Sequence, residues 1–126
     1  MVVVNKMAYY IYGATWKKND PSPEQIDKAI DELLPIQDDF VVLVNTEPIN
    51  NCKYVQTLIT SDNAPEINYQ IETRFVYENH FSHYQIFIIN EIEVKRMFRM
   101  FALGIIPNID GWSNITADLM KKAGKK

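Results

Sequence analysis

The first clear pattern of apolar and polar positions predicts an amphipathic helix. From Ile26 to Leu34, apolar residues recur at i, i+3, i+4, i+7 and i+8, the spacing of one buried helix stripe. Ser22 and Gln25 fit a capping box before this run, and Pro23 suits the first helical position. Pro35 ends the predicted helix, because a proline cannot continue the hydrogen-bond ladder.

A second helix is predicted between Asn90, a good N-cap residue, and Gly104, a natural helix stop. Five residues line one side of it: Val94, Met97, Phe98, Phe101 and Ala102. Helical periodicity alone accounts for this methionine and phenylalanine stripe, so we interpret it as core and not as a cofactor site.

Between the two helices, four runs rich in β-branched and aromatic residues predict strands at residues 39–46, 53–60, 68–78 and 83–90. A further strand is predicted near residues 7–13, before the first helix. The breaks between the four runs are too short for parallel crossovers, so antiparallel pairing is expected. The predicted fold is a single α+β domain over residues 1–126, mainly an antiparallel sheet of four to five strands. Two helices pack on one face in the order β-α-β-β-β-β-α, and a lysine-rich tail at about 119–126 is disordered or frayed.

The predicted strand at residues 68–78 alternates strictly. Gln70, Glu72, Arg74 and Val76 lie on one face, and a row of mainly aromatic and aliphatic side chains lies on the other. Glu72 and Arg74 are then neighbours on one face. One interpretation is a solvated face with a surface ion pair, which contributes about 0–1 kcal/mol. The other is a polar surface that meets a partner.

Two histidines and one cysteine are the remaining candidates for chemistry. His80 and His83 form an H-x-x-H pattern across a predicted turn, but they lack the further ligands that a zinc site requires. Cys52 has no base beside it in the sequence. The chain also lacks nucleophile-elbow, phosphate-loop and dinucleotide motifs. The sequence therefore predicts no catalytic residues, no cofactor and no metal.

The formal net charge of −3 is unevenly distributed. Six basic residues stand against twelve acidic ones up to residue 90, and seven stand against four after it. An acidic body disfavours nucleic-acid binding, which needs clustered cations. Asp31, Asp38 and Asp39 belong to an acidic run that is either a solvated surface or one that meets a basic protein. The valine run at the N-terminus fits neither a signal peptide nor a membrane span, so a cytoplasmic protein without membrane attachment is expected.

The order of short motifs resembles immunity-protein families of bacterial polymorphic toxin systems. PSPEQIDKAIDEL is followed by FVVLVN, YVQT, YQIETR and HYQ, then by the NEIEV helix, Gly104, Trp112 and Ile115. The resemblance implies a cytoplasmic inhibitor that binds a cognate toxin, often a nuclease or deaminase, without doing chemistry itself. The positions that match the pattern are Gln56, Glu72, Arg74 and Trp112. With Asp31, Asp38 and Asp39, they are the candidate partner-binding residues.

Two other functions stay open at this point. A small ligand-binding domain or enzyme would use the polar strand face around Glu72 and Arg74. A homodimeric structural or interaction protein would use apolar residues outside the main stripe of the second helix, such as Met100 and Leu103. The partner of the leading hypothesis is a protein, in particular a basic toxin domain.

Overall fold

Seven antiparallel strands form one sheet in the computed structural model, which describes residues 8–36, 38–60 and 68–124. The elements in chain order are β1 (Tyr9–Tyr12), β2 (Lys17–Asn19), α1 (Pro23–Asp31), β3 (Val41–Ile49), β4 (Cys52–Ile59), β5 (Tyr69–Val76), β6 (Phe81–Ile88), α2 (Glu91–Ala102), β7 (Ser113–Asn114) and α3 (Thr116–Gly124). The strand order across the sheet is β2-β1-β3-β4-β5-β6-β7. From β3 to β7 it follows the chain, as a meander does.

The hydrophobic core lies between one face of the sheet and the helices α1 and α2. Alternate residues of β1, β3, β4 and β5 point into it, as the two-residue period of a strand requires. The helices contribute Ile26, Ala29 and Ile30 from α1, and Val94, Phe98 and Phe101 from α2, and Leu33 joins them from the segment just after α1. The predicted class, an α+β fold with a mainly antiparallel sheet, is confirmed.

The helix caps also follow the sequence. The Ser22 Oγ accepts from the Gln25 backbone N–H at 3.2 Å, and the Gln25 Oε1 accepts from the Ser22 N–H at 2.8 Å. Before α2, the Asn90 Oδ1 accepts from the N–H of Ile92 at 2.9 Å. Gly104 after α2 has a φ of 90°, a left-handed conformation that glycine adopts without the strain of a Cβ.

The predicted number of elements was too low. The described chain has seven strands and three helices, against the four to five strands and two helices expected. The additional strands are β2, whose three residues are all exposed, and β7, which has two exposed residues. Neither has an apolar alternation, because an exposed edge strand is defined by its backbone pairing and not by burial.

One segment boundary also differs from the prediction. α1 ends at Asp31 with Glu32 as C-cap, so Leu34, predicted on the buried stripe, is exposed. The helix α3 extends to Gly124 and packs beside β6. The disordered or frayed tail at about 119–126 stays a prediction, and its residues 125–126 lie outside the described residues. Among the described residues, no helix combines the length and the apolar character that crossing a membrane requires.

Candidate functional site

The face of the sheet turned away from α1 and α2, here called the far face, carries most of the candidate residues. Along each strand, side chains of the far face alternate with side chains of the core. The register between strands therefore determines which far-face side chains are neighbours. One set of partners, the arginine row, crosses five strands: Tyr10, Val44, Tyr54, Arg74 and His83. The next set, the glutamate row, is Tyr12, Val42, Gln56, Glu72 and Gln85.

Where these rows cross β5 and β6, three side chains form a connected polar cluster. The His83 Nε2 lies 2.5 Å from the Glu72 Oε1, and the Arg74 Nε donates to the His83 Nδ1 at 3.0 Å. The Glu72 side chain is 12 % exposed and His83 is 2 % exposed. Buried polar groups of this kind are stable only when they are paired, and here each pairs with another member of the cluster.

The arginine determines the proton position on the imidazole. An arginine N–H can only donate, so the Nδ1 of His83 must be the acceptor and its proton must lie on Nε2. Nε2 then donates to the Glu72 carboxylate. In this arrangement both ring nitrogens are occupied by protein partners, so neither faces a site where a substrate proton could be taken up.

Glu72 is held in its charged form. Burial raises the pKa of this carboxyl, but hydrogen bonds from His83 and Gln70 outweigh burial, with further help from the positive charge of Arg74. The pKa of Glu72 is consequently lowered from its ordinary value. The Gln70 Nε2 donates to the Glu72 Oε2 at 2.7 Å and also reaches the Gln85 Oε1 at 3.2 Å.

Aromatic rings surround the cluster. The Arg74 guanidinium carbon lies 4.1 Å from the centre of the Phe81 ring and 5.8 Å from that of Tyr54, both within cation–π range. The Tyr54 ring centre is 6.1 Å from that of His83. These contacts restrain the guanidinium, so the far face presents a fixed array of rings, amides and charges.

A cavity of about 700 Å³ opens at one end of the far face. It brings the adjacent candidates Asp38 and Asp39 together with Gln56, which is distant from them in the sequence. Tyr12 and Phe40 line it as well, with their ring centres 6.0 Å apart in an edge-on contact. The Asp39 Oδ2 accepts from the Leu34 N–H at 2.8 Å, so this carboxylate also shapes the loop before β3.

The two other candidates lie away from the far face. Asp31 on α1 pairs with the Lys95 Nζ of α2 at 2.5 Å, and hydrogen bonding by Lys95, first among several contributions, lowers the pKa of Asp31. Trp112 is partly buried and packs against the core. Both residues therefore connect structural elements, in contrast to the surface array of the other five.

The histidines have separate environments. His80 lies in the turn between β5 and β6 and stacks on Tyr77, with ring centres 4.6 Å apart. His83 belongs to β6, in keeping with the strand predicted at residues 83–90. The interpretation of Glu72 and Arg74 as a surface ion pair is wrong, because the imidazole lies between them.

Within the described residues, no group of three or more His, Cys, Asp or Glu side chains is placed to hold a metal ion. Cys52 is fully buried, and its Sγ lies 3.2 Å from the Thr73 Oγ1. Burial raises the pKa of this thiol to about 11, an effect that the contact with Thr73 only partly offsets. A thiol in this state is a small core side chain, unlike an activated nucleophile.

No match to this chain was found among protein-family models, curated proteins or solved structures. The resemblance to immunity proteins therefore stays a prediction.

The sequence interpretation missed the structural role of His83 and of the amides Gln70 and Gln85. The position of the turn between the two strands could have revealed this role. If the turn is placed at residues 77–80, Val76 pairs with Phe81, and the antiparallel register then puts Arg74 opposite His83 and Glu72 opposite Gln85. The pairing follows from the turn position and not from the spacing of the histidines.

Proposed function

We propose that this chain is a non-enzymatic protein-binding module that holds its partner on the far face of the sheet. The observation that supports this most directly is the composition of that face. Tyrosine and arginine are enriched at the centres of protein interfaces, where they combine large contact area with hydrogen bonding. Here Tyr10, Tyr12, Tyr54 and Arg74 stand in two adjacent rows.

The extent of the face suits a protein better than a small molecule. Seven strands at about 4.8 Å spacing span about 29 Å, which is the scale of an interface that buries about 800 Å² on each partner. The cluster of Glu72, Arg74 and His83 is already ordered by its own hydrogen bonds. Less conformational entropy is then lost on binding.

The partner that fits best is a basic toxin domain, and the chain then acts as a cytoplasmic, immunity-like inhibitor. Support comes from the acidic balance up to residue 90 and from the motifs that resemble immunity proteins. Asp38 and Asp39 border the far face and favour a cationic surface. Inhibition by direct binding needs no catalytic group, in keeping with the internally satisfied cluster.

The test is co-expression with the product of an adjacent toxin-like gene, combined with calorimetry on the purified pair. The variant Gln56→Arg places a positive charge in the glutamate row, and we expect binding to weaken about tenfold or more and protection of the cells to fail. Glu32→Arg makes a similar change on the exposed surface beside α1 and should leave binding unchanged. Equal weakening by both variants, or protection without binding, would contradict the proposal.

The cavity favours a second candidate function, the binding of a small ligand. It lies beside Asp38, Asp39 and Gln56, and it is not lined by the Glu72 and Arg74 pair on which this alternative was first based. Two aromatic walls and two carboxylates suit a small cationic amine. Thermal-shift measurements with a set of amines test it: stabilisation that Asp38→Asn removes supports it, and no shift with any amine contradicts it.

A further inference from the structure

The outward side of α2 carries a stripe of residues that the core does not use. Ile92 and Leu103 are among the most exposed apolar side chains of the described chain, at 70 % and 72 %. Arg96, Arg99 and Met100 lie between them, and at 100° per residue all five fall within an arc of about 100°. These five residues are called the outer stripe. From Ile92 to Leu103 it extends over about three helical turns, or about 16 Å.

Apolar hollows flank the outer stripe on both sides. One, of about 610 Å³, lies between α2 and the start of α1, where Pro21, Pro23 and Ile26 line it. The other, of about 390 Å³, lies on the side of Ile105 and Ile106. Arg96 and Met100 line both hollows, so they stand on a ridge with a furrow on each side. Helices pack by fitting such ridges into grooves.

The centre of the outer stripe is cationic. The Arg99 Nε lies 3.4 Å from the Asp27 Oδ1, so its charge is partly balanced. Arg96 forms no ion pair with any residue that the structure describes. Of the acidic side chains near the hollows, Asp27 faces Arg99, and Glu93 lies beside Arg96 without pairing with it. An apolar–cationic–apolar order therefore runs along the helix.

We infer that the outer stripe is a docking surface for an acidic amphipathic helix of a partner protein. Apolar side chains of that helix contact Ile92 and Leu103 and fill the two hollows beside the ridge of Arg96 and Met100, and Asp or Glu residues at its centre pair with the two arginines. The order of apolar and cationic residues along the outer stripe is complementary to a helix with an acidic centre and apolar ends, and this complementarity favours that occupant. The length of three turns matches a helix and exceeds what a small anion would cover.

A second copy of the chain fits the same surface poorly. If α2 packed against its own copy about a two-fold axis, antiparallel pairing would place Arg96 opposite Arg99 of the copy, and like charges would meet at the centre. Since the outer stripe is on the helix side of the sheet, it is separate from the far face. The inference therefore stands whether or not the far face binds a toxin.

The test is fluorescence anisotropy with the full chain and two labelled synthetic peptides of about 18 residues, long enough to form a helix on binding. Both carry leucines at the spacing of an apolar helix stripe; one has glutamates at its centre and the other has lysines there. We expect the acidic peptide to bind about tenfold more tightly than the basic one. Arg96→Glu should reverse this preference, and Leu103→Asp should weaken both complexes.

The far-face variant Gln56→Arg serves as the control and should bind both peptides as the unaltered chain does. Equal affinity for the two peptides, no saturable binding, or a preference that Arg96→Glu leaves unchanged would overturn the inference. Sedimentation velocity tests the alternative occupant. A concentration-dependent dimer that Leu103→Asp abolishes would assign the outer stripe to a second copy and overturn the inference as well.

Discussion

At the scale of single residues, His83 links the two halves of the polar cluster on the far face. Its Nδ1 accepts from Arg74 and its Nε2 donates to Glu72, so a neutral ring separates a positive from a negative side chain. Loss of any one member leaves the others with unsatisfied polar atoms in a place that solvent scarcely reaches. The energetic importance of the cluster is therefore clearest when one partner is removed.

Glu72→Ala is expected to destabilise the protein by about 1–3 kcal/mol, the cost of leaving a buried donor without its acceptor. The donors affected are the Nε2–H of His83 and the side-chain amide of Gln70. Urea denaturation at neutral pH measures the change. Glu78→Ala removes an exposed carboxylate of the adjacent turn and should change the stability little. Equal effects of the two variants would show that the cluster adds no stability.

The stability that Glu72 provides should also depend on pH. Because the pKa of this carboxyl is lower in the folded chain than the ordinary value of 4.5, the charged form stabilises the fold at pH values above 4.5. This stabilisation is lost as the pH falls through the folded pKa. The difference in unfolding free energy between the unaltered chain and Glu72→Gln should therefore be largest near neutral pH and shrink on acidification. A difference that stays constant down to about pH 3 would contradict the assignment.

Cys52 should be unreactive in the folded protein. With a pKa of about 11, only about one thousandth of the thiol is ionised at pH 8, and the side chain is fully buried. We expect a disulfide reagent such as Ellman's reagent to react only as fast as the protein opens, and to react at once in denaturant. Rapid stoichiometric modification of the native protein would show that the thiol is accessible.

Sequence reasoning placed single residues correctly where local rules govern them. The period of two in β5 predicted that Glu72 and Arg74 share a face, and the spacing around Ser22 predicted the first cap. It did not predict that His83 would lie between the two charges. That contact depends on the register between two strands, which the side chains of one strand do not reveal.

At the scale of elements, the ends of α1 show the same contrast between local and long-range causes. The start of the helix is specified by Ser22 and Gln25, which bond reciprocally. Its end was predicted too late, because Leu33 and Leu34 continue the apolar pattern beyond Asp31. Of these two leucines only Leu33 is buried, so the apolar pattern alone does not separate a helical turn from the loop that follows it.

Ser22→Ala is expected to cost about 1 kcal/mol of stability, since the Gln25 backbone N–H loses its acceptor at the helix start. Ser22→Asp serves as the matched control, because aspartate is an equally good N-cap and its charge favours a helix N-terminus. Thermal unfolding followed by circular dichroism measures both variants. If they unfolded at the same temperature, the cap would contribute nothing to the stability of α1.

The strands that the sequence did not predict are at the margins of the sheet. β2 and β7 are short and exposed, and β7 pairs with β6 through only two residue pairs, Tyr84 with Asn114 and Gln85 with Ser113. Such short pairing depends on where the folded backbone brings these residues beside β1 and β6, which local sequence does not show. The central strands, by contrast, contain many buried residues and are rich in β-branched and aromatic side chains, so their composition was sufficient to predict them.

At the scale of the whole molecule, the sheet separates two surfaces with different chemistry. The helix side ends in the outer stripe, which is cationic at its centre, and the far face carries the tyrosines, the amides and the acidic border. One core joins them, because α1 and α2 pack against the strands whose alternate residues form the far face. A change in the core should consequently affect both surfaces together, whereas a change on either surface should stay local.

Phe98 provides the test of this organisation, since it is fully buried where α2 meets the core. Phe98→Ala removes a large aromatic side chain and leaves a cavity, so we expect a loss of about 3–5 kcal/mol in unfolding free energy. For a domain with about 5–15 kcal/mol of total stability, this is a large share. Ile92→Ala on the exposed side of the same helix is the matched control, and it should change the stability by less than about 0.5 kcal/mol.

Urea denaturation gives both values, and amide hydrogen exchange shows where the loss is felt. We expect Phe98→Ala to increase exchange in α2 and in the central strands β3, β4 and β5, because they share one core. Ile92→Ala should leave exchange in those strands unchanged. If Phe98→Ala increased exchange in α2 alone, the helix would be a separately stable layer, and binding at the outer stripe would then be insulated from binding at the far face.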